Sequence, residues 1–227
     1  FVQVDEDTRI NVKLKTGQET EVNAQGPNVT DAQFQSLLNQ IKETTDNDTV
    51  IVAGSVPKSI PSDAYAQIAK ITKQTGAQLV VDAEKDLVES VLEYQPLFIK
   101  PNKDELEVMF NTSVKSDEDV IKYAKQILDK GAQSVIVSLG GDGAIYVDRQ
   151  QSIKAVNPKG KVINTVGSGD STVAGMVAGL ATGLSVQDAF KQAVASGTAT
   201  AFDADLATKD AIENIKSQVT ISVLDGE

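Results

Sequence analysis

The chain has 227 residues and contains no cysteine, no histidine and no tryptophan. Without cysteine there is no disulfide, no thiolate nucleophile and no sulfur-ligated zinc. Without histidine there is no imidazole base, and the usual nitrogen ligands of zinc are gone as well. Acid–base chemistry therefore falls to carboxylates, lysines or tyrosines, and any metal to oxygen ligands, which suit hard cations. Long apolar runs are also missing: none approaches the ~20 residues needed to cross a bilayer, so no membrane span is expected. Basic residues are scarce, 21 Lys and Arg against 32 Asp and Glu, for a formal net charge of −11. That balance argues against broad nucleic-acid binding, which needs basic surface to displace counterions. Residues 1–7 have neither the basic nor the apolar region of a secretory signal. With 41% hydrophobic and 23% charged residues, the composition fits one globular domain with a sizeable core, expected to be cytoplasmic and to handle small molecules.

What is present alternates between two periodicities. Residues 8–14 and 19–24 flank Lys15-Thr16-Gly17-Gln18, which predicts a hairpin with Gly17 supplying the turn. A helix beginning at Thr30 is signalled by Gln33 at capping-box spacing and by Phe34, Leu37, Leu38 and Ile41 on one face. Residues 49–53 are β-branched without alternation, as in a strand covered on both faces. The pattern then repeats. A helix from Ser62 stops at Gly76, followed by a strand at 78–81, a short helix, and a strand at 97–100. A capped helix over 116–131, a strand at 134–139, a glycine turn and β-structure to about Val166 come next. Helices near 169–182 and 185–202, a last helix and the run 219–224 complete the chain. This grammar predicts a single α/β domain with a mostly parallel central sheet, helices on both faces, and ligands at the carboxyl ends of the strands. The first hairpin is placed as a possible lid.

Four segments carry candidate chemistry. In Asn164-Thr165-Val166-Gly167-Ser168-Gly169-Asp170, the glycines can bring helix-start amides against an anion with Asp170 beside them as a base. The segment is not a Walker A loop, because no Gly-Lys-Ser/Thr closes it. Nor is it a dinucleotide fingerprint, because Thr172 stands where the third glycine belongs. A tight turn with Asp170 capping the helix fits the same residues. In the helix that follows, Gly175 and Gly179 cost about 1 kcal/mol each relative to Ala, so close packing or a ligand must compensate. Asn102 and Glu105, just past the strand ending at Lys100, either offer oxygens to magnesium and its waters or form a capping box. Ser138-Leu139-Gly140-Gly141-Asp142-Gly143 reads on spacing alone as a hairpin turn. Ser55, in the strand-end turn Gly54-Ser55-Val56-Pro57, meets a ligand or the backbone, and Arg9 is a solvated side chain or a phosphate fork.

Taken together and in this order, these segments resemble the ribokinase-like carbohydrate kinases, in particular the PfkB branch that acts on sugar phosphates. The likeness runs over nearly the whole chain, and its most specific part is Asn164–Asp170, similar to the family's C-terminal signature. The resemblance implies the family's three-layer fold with a small β lid, and ATP with Mg2+ as cofactors. It implies Gly167, Ser168 and Gly169 as the anion hole and Asp170 as the base that deprotonates the accepting hydroxyl. Lys100, Ser138, Gly140, Gly141, Asp142 and Gly143 would contact ATP together with Gly169 and Asp170. Asn102 and Glu105 would position Mg-ATP, and Arg9 and Ser55 would hold the phosphate already on the sugar. Within the branch the likeness is greatest to kinases that convert fructose 1-phosphate to fructose 1,6-bisphosphate, with kinases of tagatose 6-phosphate next. Two more distant readings fit the same residues: a ribokinase-fold kinase of an unphosphorylated sugar or nucleoside, and a non-catalytic nucleotide-binding module. A homodimer through the lid strands at 8–24 is the implied assembly. The family begins with strands carrying a sugar-binding aspartate and a Gly-Gly-Lys-Gly segment, and this sequence starts downstream of both. An N-terminally incomplete kinase domain is therefore the expectation.

Overall fold

A computed structural model describes residues 1–16 and 18–224. Its first element is a two-stranded antiparallel sheet of β1 (Asn11–Thr16) and β2 (Gln18–Asn23), in which Val12 lies opposite Val22. Gly17, the expected turn residue, lies outside the described residues. Arg9 precedes β1 instead of lying within it as the alternation implied.

The rest is built on a seven-stranded sheet in simple sequence order: β3 (Thr49–Ala53), β4 (Gln78–Asp82), β5 (Phe98–Ile99), β6 (Ser134–Ser138), β7 (Ala144–Asp148), β8 (Ser152–Val156) and β9 (Thr220–Val223). The pairings from β3 to β6 are parallel, and those from β6 to β9 are antiparallel. The sheet is thus mixed, not mostly parallel. The reason is loop length: a parallel return needs a crossover of a dozen residues or more, and the turn from Leu139 to Gly143 is too short to make one. Expected β-structure up to Val166 also fails to appear, since β8 ends at Val156. Beyond it Pro158 and Gly160 interrupt the chain, and Val162, Ile163 and Val166 stay exposed.

Between the strands lie α1 (Asp31–Lys42), α2 (Ala64–Thr75), α3 (Lys85–Glu89), α4 (Lys103–Phe110) and α5 (Asp117–Lys130), then α6 (Ser168–Ala181), α7 (Val186–Ala201) and α8 (Lys209–Gln218). Three of their ends obey the predicted signals, whereas α2 starts at Ala64, two residues after the expected Ser62, with no side-chain cap. Thr30 and Gln33 form a reciprocal capping box on α1, with bonds of 3.3 and 2.8 Å. The Ser116 hydroxyl accepts from the Asp119 amide at the start of α5, and Gly76 closes α2 in the left-handed conformation with φ 82°. Leu37 departs from the predicted buried face and stays exposed, while Phe34, Leu38 and Ile41 are buried.

Strand residues alternate between two cores. Leu79, Val81, Ile99, Val135, Val137, Ile145 and Val147 face a cluster shared with α2 to α5. Val80, Phe98, Ile136, Tyr146 and Ile153 face Val173, Met176, Phe190 and Val194 of α6 and α7. Both faces of the sheet are therefore covered, which gives helix, sheet and helix layers. Within the second layer α6 and α7 are in backbone contact: a methyl on Gly175 would stand 2.6 Å from the Ser196 Oγ, and one on Gly179 would stand 2.8 Å from the Ala189 Cα. Packing, not a ligand, thus compensates the glycines of α6.

Candidate active site

The parallel strands β3, β4, β5 and β6 all end at one edge, at Ala53, Asp82, Ile99 and Ser138. Chain that leaves those ends therefore converges in space. Asn102 forms a parallel bridge with Ser138, and the Ser138 amide donates to the Pro101 carbonyl at 3.1 Å. The segment after β5 is thereby tied to the glycine turn after β6. That turn is a 3₁₀ loop over Gly140–Asp142, and Gly140 has φ 60°. The Asn157 side-chain amide donates to the Gly140 carbonyl (3.0 Å), and the Thr198 hydroxyl in turn donates to Asn157 Oδ1 (2.8 Å).

These elements and the start of α6 enclose a cavity of about 960 Å³ lined by Lys100, Asn102, Ser138, Gly140, Gly141, Gly143, Ser168 and Gly169, among others. Most of the residues expected to meet ATP are thus brought together. Asp142, Gly167, Glu105 and Asp170 are not part of that lining. A Cβ at Gly140 or Gly141 would meet nothing within 4 Å, so this stretch of backbone is open to a ligand, whereas one at Gly143 would run into the Ala155 carbonyl. Gly143 is therefore required by packing.

The start of α6 leaves backbone donors open. Gly167 is the N-cap residue of α6 with φ 79°, and no side chain caps the helix. The Ser168 amide donates to the Thr165 carbonyl and the Ser171 amide to that of Gly167, which leaves the Gly169 and Asp170 amides unpaired at the positive end of the helix dipole. The Ser168 Oγ is buried and has no hydrogen-bond partner. Buried polar atoms are rarely left so, and a phosphate oxygen would satisfy it. A methyl on Gly169 would stand 3.4 Å from Lys100 Nζ and 3.9 Å from Asp82 Oδ2. Lys100 is only 6% exposed, and its ammonium lies 3.2 Å from Asp82 Oδ2. Burial pushes the Asp82 carboxyl above the usual carboxylate range; Lys100 opposes the rise, and the negative charge of Asp170 adds to it. Asp170, in the first turn of α6, is exposed.

Asn102 and Glu105 form the capping box that spacing allowed. The Glu105 amide donates to Asn102 Oδ1 and the Asn102 amide to Glu105 Oε2, both at 2.8 Å. Glu105 Oε1 is left over from that exchange. Among the described residues no group of three or more carboxylates forms a metal cage. Magnesium carried on a triphosphate needs only one or two protein oxygens, the rest coming from phosphate and water, and this donor set fits that requirement.

Arg9 and Ser55 lie apart from the first cavity and meet each other, the Arg9 Nη1 donating to Ser55 Oγ at 2.8 Å. Both line a second cavity of about 810 Å³. Its wall includes Gly54, left-handed at φ 82° with open space where a Cβ would lie. Asp82 stands between the two cavities. Its carbonyl accepts from the Gly54 amide (3.0 Å), and its carboxylate holds Lys100. Sequence reading missed Asp82, although an acid closing the predicted strand at 78–81 was the available signal, since ligands gather at such ends. Asn157 and Thr198 carried no comparable signal.

Comparison with known proteins agrees with this geometry. The sequence profile of pfkB family carbohydrate kinases matches residues 1–210. The chain is 42% identical to the 1-phosphofructokinase of Bacillus subtilis strain 168, over 99% of its own length and 74% of that protein's. It is 35% identical to the D-tagatose-1-phosphate kinase of Bacillus licheniformis, over 99% of the chain and 74% of the relative. Among solved structures it matches a candidate phosphofructokinase from Staphylococcus aureus with TM-score 0.90 and 79% identity, covering 100% of this chain and 74% of that one. It also matches phosphofructokinase-2 of Escherichia coli in complex with fructose-6-phosphate, with TM-score 0.83 and 27% identity over 92% of this chain and 69% of that one. The glycine turn, the strand-end cluster and these matches agree on one conclusion: the chain belongs to the pfkB family of carbohydrate kinases.

Proposed function

We propose that this kinase transfers the terminal phosphoryl group of ATP to a hydroxyl of a phosphorylated ketohexose, with fructose 1-phosphate as acceptor and fructose 1,6-bisphosphate as product. Kinases of this family use ATP. The observation that carries the reading is the Arg9–Ser55 contact in a cavity of its own. It offers a guanidinium fork to a phosphate already on the sugar, apart from the glycine turn that suits the triphosphate. An acceptor without phosphate would leave that fork unused. The relatives that act on fructose 1-phosphate and tagatose 1-phosphate by name support a ketohexose phosphorylated at carbon 1. Tagatose 6-phosphate, the named acceptor of a Staphylococcus epidermidis relative 37% identical over 84% of the chain, is the second reading.

In this mechanism the nucleotide lies along Lys100, Ser138 and the Gly140–Gly143 turn. The amides of Gly169 and Asp170, with the hydroxyl of Ser168, meet the charge that builds on the transferring group. Asp170 accepts the sugar hydroxyl proton. Asn102 and Glu105 would hold the magnesium of Mg-ATP or its waters, and the ion would supply neutralising charge to the phosphates. Phosphoryl transfer has a loose transition state, so positioning and electrostatics carry the rate. The apolar face of the hairpin, where Val12, Leu14 and Val22 are exposed, supports pairing of two copies through these strands.

The test is product analysis with ATP and fructose 1-phosphate, tagatose 1-phosphate, tagatose 6-phosphate, fructose and ribose. Bisphosphate should form fastest from fructose 1-phosphate. Transfer to fructose or ribose alone would refute the phosphate-fork argument, and ATP binding without any transfer would favour a regulatory module. Asp170→Asn should lower kcat by roughly 10²–10⁴-fold, the range of a lost general base, with the KM for ATP little changed. Near-full turnover in that variant would remove Asp170 from the role.

A further inference from the structure

Asp82, the partner of Lys100 in a buried ion pair, has no part in the reaction as described above, yet its placement is specific. A lysine head is a mobile point charge on a four-carbon stem. Lys100 is buried beside the anion turn, and its ammonium is met by Asp82 at 3.2 Å. Asp82 is itself fixed: it ends β4, pairs in register with Ala53, and its carbonyl accepts from the Gly54 amide. Its carboxylate reaches toward Gly169, 3.9 Å from where a Cβ would sit there. Burial opposes ionisation of the Asp82 carboxyl, and the Lys100 ammonium beside it counters part of that effect.

We infer that Asp82 is a positioning residue for phosphoryl transfer, holding the Lys100 ammonium beside the amides of Gly169 and Asp170, where the transferring group gathers charge. It acts through Lys100, not on the sugar or the metal. The inference rests on the kinase reading above. Removing Asp82 leaves the ammonium free to swing, and small displacements at a reacting centre cost about 10²-fold in rate.

The test is a cycle of Asp82→Asn, Lys100→Met and the double variant in the native full-length protein, with ATP and fructose 1-phosphate over a magnesium titration. Asp82→Asn should lower kcat about 10²-fold, with the KM for ATP changed far less. The double variant should turn over no more slowly than Lys100→Met alone, because residues acting as a unit are not additive. Native kcat in Asp82→Asn overturns the proposal. So does a double variant slower than Lys100→Met by the whole Asp82→Asn factor. Recovery of Asp82→Asn at high magnesium overturns it as well, because the acid would then serve the metal. Asp82→Asn alone strands a buried cation and can unfold. The double variant carries neither charge, and its comparison with Lys100→Met still decides the matter. No transfer by the native protein overturns the kinase reading and this inference together, whereas native transfer with an inert Asp82→Asn change overturns this one alone.

Discussion

Replacing Gly169 by alanine separates stability from activity. Gly169 lies outside the left-handed region, in the first turn of α6, so alanine fits its backbone. Alanine is up to about 1 kcal/mol better than glycine inside a helix, and less at a first turn. Against this stands the contact of the new methyl with Lys100 Nζ at 3.4 Å, which is tight but involves the free end of a flexible side chain. The net change in stability should lie between zero and about +1 kcal/mol. For a chain of this size 1 kcal/mol moves Tm by roughly 2–4 °C, so thermal unfolding should shift up slightly or not at all. The same methyl is added at the helix start, beside the amides of Gly169 and Asp170 and against the Lys100 ammonium. Loss of one preorganised donor to a developing anion costs about 10²–10³ in kcat, and a coupled assay of bisphosphate formation should read a loss of that size. Turnover within about threefold of native would mean that no phosphoryl oxygen approaches this turn, which would refute the anion-hole argument. A large fall in Tm would instead mean that Lys100 cannot yield.

Two further outcomes follow from other contacts. Glu105→Gln keeps a side chain that can complete a capping box, so Tm should stay within about a degree while a magnesium titration of kcat moves to higher concentration; an unmoved titration would leave Glu105 a cap alone. The Tyr65 hydroxyl donates to the Gly54 carbonyl at 2.7 Å, and burial, with the charges of Asp82 and Glu84 adding, pushes its pKa up to about 12. A raised pKa means that the folded state holds the proton more tightly. Its contribution is therefore complete below the unfolded value of about 10 and is lost as pH climbs through about 12. Tyr65→Phe should cost about 1 kcal/mol near neutrality and decline less steeply than native in alkaline urea denaturation; parallel decline of both proteins would refute the assignment.

Helix starts and the alternation of strands and helices were legible because each depends on neighbours within a turn. Thr30 with Gln33 and Ser116 with Asp119 are bonds between residues three apart, and Gly76 ends α2 by its own conformational freedom. The order of pairing in the sheet was less legible. Two antiparallel pairings, β6 with β7 and β7 with β8, follow from turns too short for a crossover, and the β-branched residues 162, 163 and 166 lie outside any strand.

At the site, the residue types and their order along the chain already pointed to phosphate chemistry: a glycine turn with an acid, a strand-end Asn-x-x-Glu, and an arginine far upstream. Folding decided which of them meet. Arg9 and Ser55 are separated by 46 positions yet bonded, and Lys100 shares its charge with Asp82 on the adjacent strand. Gly175, read as a place for packing or for a ligand, is occupied by α7. Local bonds are written in spacing, but electrostatic partners and backbone contacts form between strands and helices that only the assembled sheet brings side by side.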